Sequence, residues 1–197
     1  MISYEKACEL MMSAAVPLGT ERVPLRGAMC RALAQDVVSD IDMPPFNKSA
    51  VDGFACRRQD LAEALAVVEE IPAGRFPRKR IGRNECARIM TGAPVPEGAD
   101  VVIMVEDTET AGDGRIRFTG AKSSPNICPR GEDIKAGDVV LRAGELIGAA
   151  HIAALAGAGC AEPLVSRRPR IGLIVTGDEL VEPSVKPDGG RIRNTNG

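Results

Sequence analysis

Four short stretches of the chain carry side chains suited to chemistry on anions or hard cations. The first, Asp42-Met-Pro-Pro-Phe-Asn-Lys-Ser-Ala-Val-Asp-Gly-Phe54, presents Asn47, Lys48, Ser49 and Asp52. Pro44 and Pro45 stiffen it by fixing two φ angles and removing two amide donors. Asp52-Gly53 adds a turn signal that carries a carboxylate. The same composition suits a hinge between domains, and residue chemistry leaves hinge and site both open. In Thr91-Gly-Ala-Pro-Val-Pro-Glu-Gly-Ala-Asp100, two prolines and two glycines account for a rigid turn, while the Thr91 hydroxyl could bond a phosphate oxygen or a metal-bound water. Arg130-Gly-Glu-Asp133 is either a surface turn with a local ion pair, or an anion-binding Arg130 beside an Asp133 that holds a divalent cation. Thr176-Gly-Asp-Glu179 sets Asp178 and Glu179 after an apolar run. Two carboxylates there suit Mg²⁺, and they equally suit a helix cap.

Other chemistries have less to stand on. The only histidine, His151, sits among alanines and reads as a packing residue, so Ser-His-Asp and Cys-His mechanisms lack a base. Six cysteines are scattered without a CxxC pair, against a zinc site or a secreted disulfide framework and in favour of a reducing cytoplasm. A net charge of -2 gives no electrostatic case for nucleic acid or an acidic membrane, so the basic run Arg75-Phe-Pro-Arg-Lys-Arg80 reads as a solvated loop. No apolar run is long enough for a membrane span, and Glu5, Lys6 and Glu9 occupy the place of a signal peptide's apolar core. Aromatic residues are only 3% of the chain, so its core must come from aliphatic side chains.

The elements that must position these residues follow from periodicity. Ser3 caps a first helix whose apolar face is Ala7, Leu10, Met11 and Ala14, ended by Pro17 and Gly19. Residues 23–25 and 35–39 read as strands, and 29–34 as helical turns. Between 53 and 120, Gly and Pro break the chain into β-like runs at 65–70, 86–90, 101–105 and 115–118, with a hairpin turn at 111–114 joining the last two. Further on come a strand at 138–141, a small-residue helix at 148–156 capped by Gly157 or Gly159, and a strand at 161–165. Residues 170–177 form a near-continuous apolar run, as in a strand buried in a parallel sheet. The fold class expected is mixed α/β and β. An α+β linker domain (1–43 and 128–167) is interrupted by a β-rich, barrel-like insertion (44–127), and 168–197 begins a truncated α/β domain.

The order of the motifs is more specific than any one of them. DMPPFNKSAVDGFA (42–55), IMTGAPVPEGADVVI (89–103), RGEDIKAGDVVL (130–141), GLIVTGDELVEP (172–183) and RIRNTNG (191–197) together resemble the molybdopterin molybdenumtransferases. These are bacterial molybdenum-cofactor enzymes related to the E domain of gephyrin. The resemblance implies a cytoplasmic homodimer that inserts molybdate into adenylylated molybdopterin with Mg²⁺ and releases AMP, taking its substrate from a molybdopterin adenylyltransferase. It implies functional roles for Asp52, Thr91, Asp133 and Glu179, with Asp52, Asp133 and Glu179 near the metal. Asn47, Ser49, Arg130 and Asp178 are then expected to bind the cofactor substrate, with Thr91 and Arg130 on phosphate oxygens. It also implies that 168–197 is the start of a molybdopterin-binding domain, so residues 1–197 alone are expected to be inactive. A dimerisation or scaffold module of gephyrin type is the alternative.

Overall fold

The structure, a computed structural model, describes residues 2–197. Its helices are α1 (Tyr4–Ala14), α2 (Leu25–Ala28) and α3 (Ala149–Gly157). Its strands are β1 (Thr20–Arg22), β2 (Val37–Val38), β3 (Lys48–Ser49), β4 (Gly53–Cys56), β5 (Leu65–Ile71), β6 (Glu85–Ile89), β7 (Val101–Met104), β8 (Thr108–Thr110), β9 (Arg115–Phe118), β10 (Ile127–Cys128), β11 (Val139–Leu141), β12 (Leu164–Ser166), β13 (Leu180–Val181) and β14 (Ile192–Arg193). The architecture is mixed α/β and rich in strands. Arg22–Val165 makes one compact unit, and the segments up to Glu21 and from Ser166 make a second.

The larger unit is built round a curled six-stranded sheet in the order β7-β4-β6-β5-β9-β8. Alternation sorts its side chains into two cores. Phe54, Cys56, Leu65, Cys86, Val101, Ile103 and Ile116 pack on one side, and Ala55, Ile71, Ala87, Ile89 and Val102 on the other. All four residues of β4 are buried because both faces of this strand are covered. A third core joins Leu33, Val37, Leu141, Ile147, Leu155 and Val165 around α3. The expected strands at 65–70, 86–90, 101–105 and 115–118 all form within a residue of those limits. One pairing differs from expectation: the turn at 111–114 joins β9 to β8, because the 3-10 turn Val105–Asp107 separates β8 from β7. Nothing in the pattern marked β5 and β6 as parallel.

Other local expectations shift for visible reasons. Pro24 stands at the N-cap of α2, so residues 25–28 turn helical instead of continuing a strand. Cys30 at φ 58 then breaks that helix, and Ala32 and Leu33 form bridges to Leu146 and Val165 where helical turns were expected. α1 starts on Ser3, whose hydroxyl accepts from the Lys6 amide at 3.2 Å, but none of its expected apolar face is buried. The α3 cap is Ala158, with Gly159 at φ +76 just beyond it. His151 does more than pack: its Nδ1 accepts from the Gly148 amide at 2.9 Å at the start of α3. Residues 170–177 are not a strand. Ile171 and Ile174 are 84% and 87% exposed, since an apolar run becomes a buried strand only when neighbours pair with it.

All six cysteines are free thiols. Cys56 and Cys86 face each other across β4 and β6 and are fully buried, and burial pushes each thiol up to about 12. Their thiolate fraction is then lower by about a thousandfold than at the ordinary 9.0. Iodoacetamide labelling of the native protein followed by peptide mapping is expected to modify exposed Cys30 while Cys56 and Cys86 react only after unfolding. Equal labelling rates for Cys30 and Cys56 would contradict the packing.

Candidate functional site

The crossover at residues 42–54 is the hub on which three of the four motifs meet. On one side it is stitched to the 91–95 turn. Ser49 donates its amide to Ala93 O and accepts from the Gly92 amide, and the Val95 amide donates to Asn47 O, at 2.8–2.9 Å. On the other side β3 pairs antiparallel with β10, and the Ala50 amide donates to Asn126 O. The 130–134 turn closes on the start of the crossover, with the Gly131 amide on Pro44 O and the Asp133 amide on Met43 O. Backbone hydrogen bonds therefore fix the loop that the prolines only stiffened.

At its far end, Asp52 meets Thr91. The Thr91 amide and hydroxyl both donate to Asp52 Oδ1, at 2.6 and 2.7 Å. These two bonds, the amide first, hold the exposed carboxyl below the usual carboxylate range, and the charge of Arg88 adds to them. Among the described residues none donates to Oδ2, and the side chain is exposed. Neighbouring Gly53 and Ile89 are register partners in β4 and β6, so the sheet sets the spacing of the pair.

At the near end, Asp42 is the organiser, and the sequence reading passed over it. Its Oδ1 accepts from the Ala136 amide at 2.9 Å and its Oδ2 from Arg130 Nε at 2.5 Å. The Ala136 bond first, then Arg130, lowers its carboxyl below the ordinary range. Arg130 thus has one nitrogen committed to a neighbour, while its side chain is 65% exposed and no described residue bonds its terminal nitrogens. Asn47 is also used structurally, accepting from the Arg130 amide at 2.9 Å. Ser49 is 1% exposed and donates its hydroxyl to Val51 O at 2.6 Å, so it braces the crossover and is not presented to a bound cofactor as expected. The Asp133 side chain is exposed, makes no hydrogen bond, and lines a cavity of about 540 Å³ with Asp138 and Arg142.

Asp178 and Glu179 lie in the other unit, both exposed. The Glu179 carboxylate folds back over Gly177, and its carbonyl accepts from the Ile192 amide at 2.8 Å where β13 and β14 pair in parallel. Among the described residues, no three His, Cys, Asp or Glu side chains stand close enough to hold a metal ion. Asp52 and Asp133 instead each offer a single carboxylate, which suits an ion that keeps most of its shell as water and substrate oxygens. The basic run is a wrapped loop: the Arg78 and Lys79 amides both close on the Glu69 carboxylate at 3.0–3.1 Å. No helix among the described residues is long and apolar enough to cross a membrane.

A strand-rich fold whose polar crossover gathers these motifs defines a class, and comparison with known proteins specifies it. Residues 2–159 match the family described as the MoeA N-terminal region (domain I and II), and the chain belongs to that family. A protein named molybdopterin molybdenumtransferase from Staphylococcus epidermidis is 40% identical over 206 residues, covering 100% of this chain and 48% of its own length. One of the same name from Staphylococcus aureus is 41% identical over 183 residues, covering 89% and 43%. The crystal structure of the molybdopterin biosynthesis moeA protein from Pyrococcus horikoshii OT3 superposes with a TM-score of 0.80 at 36% identity, over 94% of this chain and 51% of that one. The chain spans about half the length of the curated relatives it matches.

Proposed function

We propose that this chain serves molybdenum-cofactor biosynthesis, within a molybdopterin molybdenumtransferase that inserts molybdate into adenylylated molybdopterin and releases AMP. The observation that carries this reading is the Asp52–Thr91 pair, an ionised carboxylate with one oxygen fixed by two donors and the other bonded by no described residue. Fixing one oxygen aims the second without any motion at the moment of binding. Asp52 and Asp133 would each give one oxygen to Mg²⁺, and Glu179, in the other unit, is proposed separately as a metal-binding carboxylate. When bound, that ion supplies neutralisation of the charge that spreads over the departing phosphate. The terminal nitrogens of Arg130 would meet a phosphate oxygen while Asp42 holds the guanidinium in orientation. Thr91 acts through Asp52 in the free protein, and its hydroxyl would also contact a phosphate oxygen of the substrate. We assign Asp178 to the cofactor substrate as well.

The wider setting is proposed on the same footing: a cytoplasmic homodimer that receives its substrate from a molybdopterin adenylyltransferase. In its domain plan, 1–43 and 128–167 form a linker domain, 44–127 a β-rich insertion, and 168–197 the start of a pterin-binding α/β domain. The test is molybdenum insertion by a chain of the relatives' full length carrying Asp52→Ala or Asp133→Ala, with the 197-residue chain as control. Losses of about a hundredfold are expected. Unchanged activity in both variants would sink the assignment.

A further inference from the structure

Arg88 flanks the crossover, where its charge acts on Asp52 through space, and its side chain has no assigned ligand. It lies on β6 opposite Phe54 of β4 and Glu70 of β5. Its guanidinium carbon is 5.0 Å from the centroid of the Phe54 ring, a cation–π arrangement that fixes the plane of the fork. Nη1 is buried and has no hydrogen-bond partner, the only such side-chain atom among the described residues. A charged donor left unpaired away from water is costly, and folded proteins rarely retain one without a use. No described carboxylate bonds Nη1 directly, although the Arg88 charge acts on Asp52 through space. Glu69 is occupied by the Arg78 and Lys79 amides, and Glu70 forms no ion pair with Arg88.

Beside Arg88 is a cavity of about 480 Å³, walled by Phe54, Val67, Val68 and Ile116 and edged by Glu70 and Arg115. Its size is within the range of small-molecule sites, and an apolar wall with one oriented polar group is their usual chemistry. We propose that this cavity binds a small organic carboxylate, its head paired with the Arg88 fork and its apolar body lying against Phe54, Val67 and Ile116. The planar fork matches a carboxylate in two parallel hydrogen bonds. The apolar wall offers nothing to inorganic phosphate, so the cavity favours a carboxylate that carries an apolar body. The site is distinct in its contacts from the Asp52–Thr91 pair and does not depend on the function assigned to that pair.

The probes are 2-naphthoate, its neutral counterpart 2-naphthalenemethanol, and inorganic phosphate, titrated into the 197-residue protein by calorimetry and amide NMR. The expected result is saturable naphthoate binding that shifts the Phe54, Val67 and Ile116 amides and is about tenfold or more tighter than the alcohol. Phosphate is expected to compete poorly. Arg88→Met should erase the preference for the carboxylate, Arg88→Lys should recover part of it, and Arg117→Met, at an exposed arginine outside the lining, should leave it intact. Absent naphthoate binding, equal binding of acid and alcohol, effective competition by phosphate, or undiminished binding to Arg88→Met each overturn the proposal. The acid–alcohol comparison needs only the unaltered protein, so it decides the matter even if the Arg88 variants fold poorly.

Discussion

Gly53→Ala is expected to cost the larger unit about 3 kcal/mol or more of stability and to displace Asp52 from Thr91. A Cβ at Gly53 would run into the Ile103 carbonyl, with the carbonyl carbon at 2.9 Å and Met104 Cα at 3.3 Å. These atoms are backbone of β7, where Met104 and Ile103 are the register partners of Gly53 and Phe54. A flexible side chain could swing aside, but a paired strand cannot, so β4 and β7 must part. Parting them opens the core shared by Phe54, Cys56, Val101 and Ile103. Gly190→Ala is the matched control: no atom lies within 4 Å of its added methyl, and a change within about 0.5 kcal/mol is expected. Urea unfolding followed by far-UV circular dichroism measures both, and early labelling of Cys56 in Gly53→Ala reports the same opening. A midpoint for Gly53→Ala equal to that of Gly190→Ala would show that the strands can move apart cheaply.

The same glycine shows how far the sequence could be read. Asp52-Gly53 announced a turn and a carboxylate; the structure bonds that carboxylate to Thr91, a pairing the sequence did not announce, and gives the glycine a different reason, close strand approach. Short β-like runs bounded by Gly and Pro located β5, β6, β7 and β9, and each has at least one face against a core. They could not reveal the parallel pairing of β5 with β6. Pro72, Gly74 and Pro77, which shape the intervening loop, carry no signal that distinguishes a crossover from a reversal. Arg88 was equally hidden, since an arginine in an alternating strand reads as an outward charge until the ring of Phe54 is found across the register. Ser49 failed in the opposite sense. Its hydroxyl looked available, but a polar side chain in a tight loop often bonds its own backbone. Residues 170–177 failed because hydrophobicity specifies a buried strand only through the partners that bury it.

The coupling between Asp52 and Thr91 predicts a particular failure of additivity. In a chain of the relatives' full length, Asp52→Asn is expected to lower molybdenum insertion about a hundredfold, because the amide cannot present an ionised oxygen. Thr91→Val removes the hydroxyl donor but keeps the amide donor, and a loss of about tenfold is expected. If Thr91 acts by orienting Asp52, the double variant should resemble Asp52→Asn alone, since an oriented group that is already gone cannot be misoriented. Multiplying losses would instead mean that Thr91 touches the substrate on its own account. The 197-residue chain offers a second readout that needs no turnover. The folded carboxyl of Asp52 is held below its ordinary value, so the pair's contribution is fully present above the unfolded pKa and is lost only as pH falls through the lowered folded value. The Thr91 amide signal should therefore move with a midpoint more acid than that of an ordinary aspartate. In Thr91→Val one of the two lowering bonds is missing, so the Asp52 carboxyl should titrate at higher pH than in the unaltered protein. An unchanged titration would mean that the hydroxyl does not help hold the charge, and Thr91 would lose its positioning role.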